Sequence, residues 1–402
     1  MTTAATLWWS TRGGSKLNPQ PGFMNILFLI HHPELHGSNR SLLDLVEGLR
    51  AFEVSPFFVL PAQGSLSALL EQMQFPFAVL PVPYWLSNKK LTLAQKLSLR
   101  KEIRQSSEQL LGLIRERGID LVYTNTSASP AGALAARKAG IPHVWHLREG
   151  FWPDFHLKPI LTHKHVSKFI LRAGEVICNS RDVVRSHFGT SGRSAHVVYN
   201  GVGTQAQFEQ RLRASCSTPR PDVFTLILPS VLTPQKGQEH AIRALAALRT
   251  QGIPARLVLA GGGKPDYLEY LKSLAAGLGV QDLVSFVGFT ADPFPLYYQA
   301  DCALVCSDYE ALSRVALEAM SCALPVIGKN SGGTPEIIVN GETGYLYNTP
   351  EELAGRMGEL ARDRSLSRRM GQAGWERARE QFSIEKCAAS VYQVIQSVMS
   401  KA

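Results

Sequence analysis

The feature that most constrains the fold is an alternation of short, continuously apolar runs with helical stretches, and it occurs twice. In the first half the runs are "MNILFLIHH", "VSPFFVLP", "FAVLPVP", "LVYTNTS", "HVWHLRE", "EVICNS" and "AHVVYN". Helical patterns such as "SNRSLLDLVEGLRAF" and "ASPAGALAARKAG" separate most of them. The runs are rich in Val, Ile and Leu without polar alternation, as in strands covered on both faces. Strand–helix alternation of this kind builds βαβ units and a parallel sheet. After a Pro-, Ser- and Arg-rich stretch from Arg211 to Pro221, the pattern restarts with "FTLILPSVL", "ARLVLAGGG", "VSFVGF", "CALVCS" and "PVIGK".

The expected fold is therefore α/β, with two Rossmann-like domains in tandem. A chain of 402 residues is too long for one hydrophobic core. The expected divisions are a disordered extension over 1–23, a first domain over 24–200, a surface linker over 201–221 and a second domain over 222–380. A C-terminal helix over 381–402 is expected to pack back on the first domain, with Trp375, Phe382 and Tyr392 as packing anchors at the C-terminal end. Ligands of open parallel sheets bind beyond the carboxyl ends of the strands. Two such sheets facing each other would make a cleft between the domains.

Composition narrows the class. No apolar run approaches the roughly 18–20 residues that span a bilayer. The first 23 residues lack a charged start followed by an apolar block, so no signal peptide is expected. The six cysteines fit reduced thiols in a cytoplasmic protein. Cys302 and Cys306 lie in one apolar run with no second ligand pair, so no metal site is expected. The net charge is +9 and is concentrated in the first half, where residues 24–200 hold 20 Lys and Arg against 13 Asp and Glu. That asymmetry points to an anionic partner for the first domain. Within "SNKKLTLAQKLSLRKEIRQ" the residues Lys96, Arg100 and Arg104 recur every fourth position and share a helix face. Segment 88–104 is thus a candidate for docking on an anionic membrane surface, with a solvated helix face as the alternative. It has no interleaved aromatics and no nucleic-acid motif, so no nucleic-acid partner is expected.

Several short stretches are candidates for chemistry. "DYEALSRVALEAMSCALPV" carries Glu310 and Glu318 after the strand "CALVCS", with Ser313 as a helix N-cap. Eight residues on one helix turn through about 800°, leaving roughly 80° between two side chains. A wholly helical pair would not share a face. If Glu310 is in the loop and Glu318 in the helix, both can border one site. The first N–H groups of that helix, at Ser313, Arg314 and Val315, form an anion site. Spacing alone leaves open a helix whose two glutamates face solvent. "TPQKGQEHAI" places Lys236 at a helix start, where a cation opposes the macrodipole. "NSGGTPEII" puts Gly333 and Thr334 in a glycine turn before a helix, suited to a close ligand or to a positive-φ turn. Gly37 and Ser38 open the first helix. His146, Arg148 and Glu149 close a strand. No G-x-G-x-x-G or P-loop spacing occurs.

Taken together, these residues resemble the retaining, nucleotide-sugar-dependent glycosyltransferases of family 4, which have the GT-B fold. The resemblance runs from Met24 nearly to the C-terminus and is strongest over 196–347. The matching stretches are "VVYNGV", "PQKG", "LVLAGGG", "VSFVGF", "EALSRVALEAMSCALPVI", "SGGTPEII" and "NGETGYLY". It implies that Glu318 accepts from the ribose hydroxyls and that Glu310 holds the transferred sugar. The amides of Ser313, Arg314 and Val315 would cradle the diphosphate and Lys236 would balance its charge. Main chain from Val287 to Phe289 would meet the base. Gly37 and Ser38 would approach donor phosphate or acceptor, and His146 the sugar near the reacting carbon. Gly333 and Thr334 would belong to the donor-binding set.

The implied reaction moves a sugar from a nucleoside diphosphate to an acceptor hydroxyl of a glycan or a lipid-linked molecule, with retention and without a cofactor or metal. Two departures stand out. The family often has arginine five residues before this lysine, where Val231 stands here. Arg314 is the candidate replacement for that charge. Ala311 and Ser313 occupy positions where glycine is common. A same-fold nucleotide-sugar epimerase and a catalytically inactive nucleotide-sugar-binding subunit are the alternative readings.

Overall fold

The computed structural model describes residues 22–87, 91–150, 158–159, 162–189 and 195–401. The expected extension therefore falls almost wholly outside the described residues, as do Lys89 and Lys90 of the basic segment. The chain divides into two units. One comprises residues up to Cys178 with Val184–Val198 and the end of the chain from Ala388. The other comprises Asn179–Val183 and Tyr199–Cys387.

The first unit is built on a parallel seven-stranded sheet. In chain order its elements are β1 (Met24–Leu29), β2 (Val54–Leu60), β3 (Phe77–Val79), β4 (Leu86–Ser87), β5 (Leu121–Thr124), β6 (His143–Leu147), β7 (Lys158–Pro159), β8 (Glu175–Cys178) and β9 (Ala195–Val197). The sheet order is β3-β2-β1-β5-β6-β8-β9, while β4 and β7 form a separate antiparallel pair. The central strands β5 and β6 are buried from end to end, as in a parallel sheet covered on both faces, even though β6 carries His143 and His146. The helix Ala131–Ala139 lies directly on β5: a Cβ on Gly132 would stand 2.5 Å from the Thr124 Oγ1. From the C-terminal segment, Tyr392 stacks on Phe52 at 4.4 Å and Lys401 pairs with Glu175.

The second unit carries a parallel six-stranded sheet. Its strands are β10 (Phe224–Pro229), β11 (Ala255–Ala260), β12 (Val284–Gly288), β13 (Cys302–Val305), β14 (Val326–Lys329) and β15 (Gly344–Tyr347), in the order β12-β11-β10-β13-β14-β15. Strand order reverses at β1/β5 in the first sheet and at β10/β13 in the second. These are the switch points where the crevice beyond the strand ends opens.

Three local expectations need correction. The stretch 201–221, read as a surface linker, contains the helix Gln205–Ser217. Thr204 and Gln207 cap it reciprocally, and Phe208 is fully buried. Its Ser- and Arg-rich composition hides an inner edge that packs against Trp375, whose Nε1 donates to the Phe208 carbonyl. Lys236 does not open a helix. It ends the tight turn Pro234–Lys236, and the helix runs Gln238–Thr250 after Gly237. Gly237 has φ +66° and sits where a Cβ would lie 2.2 Å from the Cys306 carbonyl oxygen, so glycine is required twice over. Finally, β15 and the β4–β7 pair were not anticipated.

Candidate functional site

In the second unit the sheet's switch point gathers most of the donor-site candidates. Lys236 follows β10, and Glu310 follows β13. The two loops are tied by Asp308 N–H donating to the Gln235 carbonyl at 2.9 Å. Lys236 Nζ donates to Glu310 Oε1 at 2.6 Å, and Ser307 Oγ donates to the same oxygen at 2.7 Å. Glu310 lies in the loop, and the helix Arg314–Ser321 begins after Ser313, whose Oγ accepts from Ala316 N–H. The remaining N–H groups of that first turn have no partner four residues back.

Glu318 lies one turn further along. Arg314 reaches it with Nε at 3.2 Å and Nη2 at 3.1 Å. Tyr297 Oη donates to its other oxygen at 3.4 Å. Burial, and then the negative charge of Glu318, push the Tyr297 hydroxyl pKa well above its ordinary value, so the phenol stays protonated and remains a donor. Each carboxylate thus has its own cation. Both pairs are only partly exposed, with side-chain accessibilities of 27% and 21% for Lys236–Glu310 and 17% and 14% for Arg314–Glu318. Ser307 and Tyr297 were not read from the sequence. Ser307 directly follows the strand run "CALVC" and was findable; Tyr297 carries no sequence signal.

The glycine turn has a definite use here. Gly332 has φ +59°, and a Cβ there would lie 2.2 Å from the Glu310 oxygen; one on Gly333 would lie 2.1 Å from the Ala311 oxygen. Gly333 N–H donates to the Glu310 carbonyl at 2.7 Å. That amide holds the Glu310 loop, and the positive φ of the turn lies at Gly332. Thr334 is buried at the start of the following helix. Phe289 projects after β12 with 77% of its surface exposed, beside Val287 at 47%.

In the first unit a polar cluster sits at the carboxyl ends of β5 and β6. Glu149 Oε1 accepts from Thr126 Oγ1 at 2.7 Å, Ser127 N at 2.5 Å and Ser127 Oγ at 3.0 Å. Arg148 Nε donates to Asn125 Oδ1, and its Nη2 lies 3.2 Å from His146 Nδ1. Tyr123 Oη is 2.5 Å from the same nitrogen. A guanidinium only donates, so Nδ1 must be the acceptor and the neutral ring carries its proton on Nε2. Burial, reinforced by the Arg148 charge, holds the His146 pKa well below its usual value. Its Nε2 is buried and has no hydrogen-bond partner among the described residues. His146 is thus set up to donate from Nε2 and not to accept a proton. Gly37 and Ser38 begin the helix Gly37–Leu49, whose N-cap His36 supplies no side-chain cap. Val315 stands partly exposed in the first turn of its helix. Among the described residues no group of three or more His, Cys, Asp or Glu side chains could hold a metal ion.

Two tandem parallel sheets, of seven and six strands, define the GT-B architecture. Residues 217–377 match the family described as Glycosyl transferases group 1, and residues 35–206 match Glycosyltransferase Family 4. The chain is 33% identical over 304 residues to the GDP-mannose-dependent alpha-(1-6)-phosphatidylinositol monomannoside mannosyltransferase of Mycobacterium tuberculosis, covering 69% of this chain and 76% of that one. Among solved structures it is similar to Anabaena Alr3699/HepE in complex with UDP-glucose, with TM-score 0.72, 25% identity, and coverage of 93% and 100% of the two chains. It is also similar to a glycosyltransferase from Rickettsia africae, with TM-score 0.76, 19% identity, and coverage of 95% and 100%. The chain belongs to glycosyltransferase family 4.

Proposed function

We propose that this glycosyltransferase moves a sugar from a nucleoside diphosphate to an acceptor hydroxyl with retention at the anomeric carbon. The observation that carries this is the pair of carboxylates Glu310 and Glu318, each neutralised by its own cation around one helix N-terminus. Glu318 takes the ribose hydroxyls and Glu310 the sugar hydroxyls. The amides of Ser313, Arg314 and Val315 receive the diphosphate. Lys236 stabilises the leaving group as its charge grows. The exposed face of Phe289 and the main chain before it serve the base. From the first unit, His146 donates to a sugar hydroxyl, and Gly37 and Ser38 offer uncapped amides to phosphate or acceptor.

Retention then follows from attack on the face the phosphate leaves, with the departing phosphate oxygen taking the acceptor proton. No metal is needed, because Lys236 and helix amides supply the positive charge. Glu310 positions the sugar and forms no bond to it; trapping a glycosyl adduct on Glu310 would overturn that assignment. Arg314 replaces the arginine that Val231 lacks: donor binding moves its guanidinium from Glu318 towards the diphosphate, freeing Glu318 for the ribose.

The acceptor is a glycan or lipid-linked molecule at the cytoplasmic membrane face. The named mannosyltransferase relative acts on a phosphatidylinositol glycolipid, and the basic half of this chain suits an anionic surface. In the helix Leu93–Arg117 the first turns present Leu93 and Leu97, 75% and 54% exposed, beside Arg100 and Arg104. That pairing of apolar and cationic side chains suits a peripheral membrane helix. A thermal-shift screen with UDP-, GDP- and ADP-sugars, GDP-mannose and UDP-glucose first, tests the donor. Mass spectrometry of products from lipid and glycan acceptors tests transfer, and no product with any stabilising donor would sink the proposal. Vesicle flotation at low salt should depend on anionic lipid.

A further inference from the structure

The second unit has another positively charged cavity, at the opposite end of its sheet. It occupies about 640 Å³, and its lining includes Arg220, Arg364, Arg368, Arg369, Ser215 and Asp301. Asp301 immediately precedes β13, and its Oδ2 accepts from Thr225 N–H at the start of β10. The cavity therefore lies at the amino ends of the two strands whose carboxyl ends lead to Lys236 and Glu310. A volume of this size falls within the range of small-molecule sites.

The charge in it is not balanced locally. Asp301, buried at 3% exposure, is the one acid in the lining. It is shared at long range by Arg220 Nη1 at 3.8 Å and Arg364 Nη1 at 3.9 Å, beyond hydrogen-bond reach for either. Arg220 is half-buried. Its pKa is lowered by burial first, with Asp301 opposing and Arg368 and Arg364 adding to the lowering, so three guanidiniums crowd one another. Asp363 interacts with Arg369 but stands outside the cavity, with its carboxylate capping Ser365 and Leu366 N–H. Even with Asp363 counted, four arginines face two carboxylates. Arg368 and Arg369 are exposed at the rim, where Arg368 Nε donates to the Arg364 carbonyl and Arg369 Nη1 to Ser365 Oγ.

We propose that this cavity binds a small ligand bearing two phosphate groups, at a site separate from the donor site. A pair of phosphates carries roughly −3 to −4, enough to discharge the excess. Guanidinium forks match phosphate oxygens bidentately. Ser215 Oγ accepts from Arg220 Nη2 at 3.2 Å and the Pro221 and Asp222 carbonyls accept from Arg364. The two inner guanidiniums are thus fixed by neutral acceptors that leave their charge in place, while Arg368 and Arg369 close over the ligand from the rim.

Cys216 makes the test site-specific. It lines the same cavity and is the one exposed thiol; the other five cysteines are buried. Alkylation of Cys216 in the full-length protein should slow as inorganic pyrophosphate is added, saturably, and pyrophosphate should give a calorimetric binding isotherm. The double variant Arg368→Gln/Arg369→Gln changes only exposed side chains, and its unperturbed melting curve checks folding. It should bind pyrophosphate at least about tenfold more weakly. Lys236→Ala, which weakens the donor site, should leave Cys216 protection in place. A parallel arm uses vesicles of phosphatidylglycerol with phosphatidylinositol bisphosphate. Protection by free pyrophosphate identifies a soluble ligand, and protection by vesicles alone identifies a lipid headgroup. The proposal is overturned if neither protects Cys216, if the double variant binds unchanged, or if Lys236→Ala abolishes protection.

Discussion

At the scale of single residues, the donor site is a matter of who holds which carboxylate. Lys236→Ala leaves the Glu310 carboxylate with Ser307 and removes the charge proposed to face the leaving group. Steady-state kinetics should show kcat falling about 100- to 1000-fold. Arg314→Ala should weaken donor affinity and slow turnover; a variant indistinguishable from wild type in both would show that the Val231 vacancy is filled elsewhere. His146 makes a cleaner prediction because it needs no substrate. Imidazole ¹⁵N spectra should report the Nε2–H tautomer at neutral pH. Arg148→Gln should raise the ring's pKa and mix the tautomers, whereas an unchanged spectrum would remove Arg148 as its positioning residue. The pattern of two glutamates around a capped helix start was legible because capping, turn and charge each leave a residue-type signature. Tyr123, which contacts His146 from the neighbouring strand, was not, since a buried tyrosine in an apolar run reads only as core.

At the scale of elements, the strands were the readable part. A parallel strand buried on both faces must be an unbroken apolar run, and the long strands of both sheets were found that way. Pieces with little buried surface were missed, and so was β15, four residues long, although its Tyr345 and Tyr347 are buried. The pair β4–β7 has two residues a side, too short for any periodicity. The helix Gln205–Ser217 buries little beyond Phe208 and Ser215, so its pattern was drowned by polar residues. Its contribution to stability should nonetheless be concentrated at that aromatic: Phe208→Ala should cost about 3–5 kcal/mol in urea denaturation. Gly237→Ala tests the turn after the lysine. It forces a positive φ on alanine and a clash with the Cys306 carbonyl, and should cost about 1–3 kcal/mol by thermal unfolding.

At the scale of the whole molecule, charge and burial set the response to pH. The first unit buries His143 in its sheet and His187 in the helix Arg181–Phe188, and holds both neutral. Burial lowers the His143 pKa to about 3 and that of His187 to about 4, against about 6.5 in the unfolded chain. A folded pKa below the unfolded one gives stability that is complete above about pH 6.5. It is lost as the pH falls from there towards the folded values. At pH 5 His143 alone should have removed about 2 kcal/mol, and His187 acts in the same direction. Urea midpoints should therefore drop between pH 7.5 and pH 5, and His143→Gln should flatten that slope. The tandem architecture was legible at this scale from the repeated pattern alone. The burial of these histidines was not, because nothing in the letters separates a surface imidazole from one packed edge-on to Trp145.

The glycine pair at 332 and 333 has a consequence for how such an enzyme can be redesigned. Backbone packs on backbone there, so main chain holds the loop bearing Glu310 alongside side-chain ties such as Tyr309 Oη donating to Asp182 Oδ2 at 2.7 Å. Ala311 and Ser313, flanking residues of that loop, are buried, and Ser313 caps the helix that follows, so exchanges there must stay small and, at 313, keep a capping oxygen. Libraries aimed at a different transferred sugar belong at those two positions, with the glycines left untouched. Small residues at 311 and Thr at 313 should alter sugar preference at little loss of fold, whereas Ser313→Ala should cost about 1 kcal/mol by thermal unfolding.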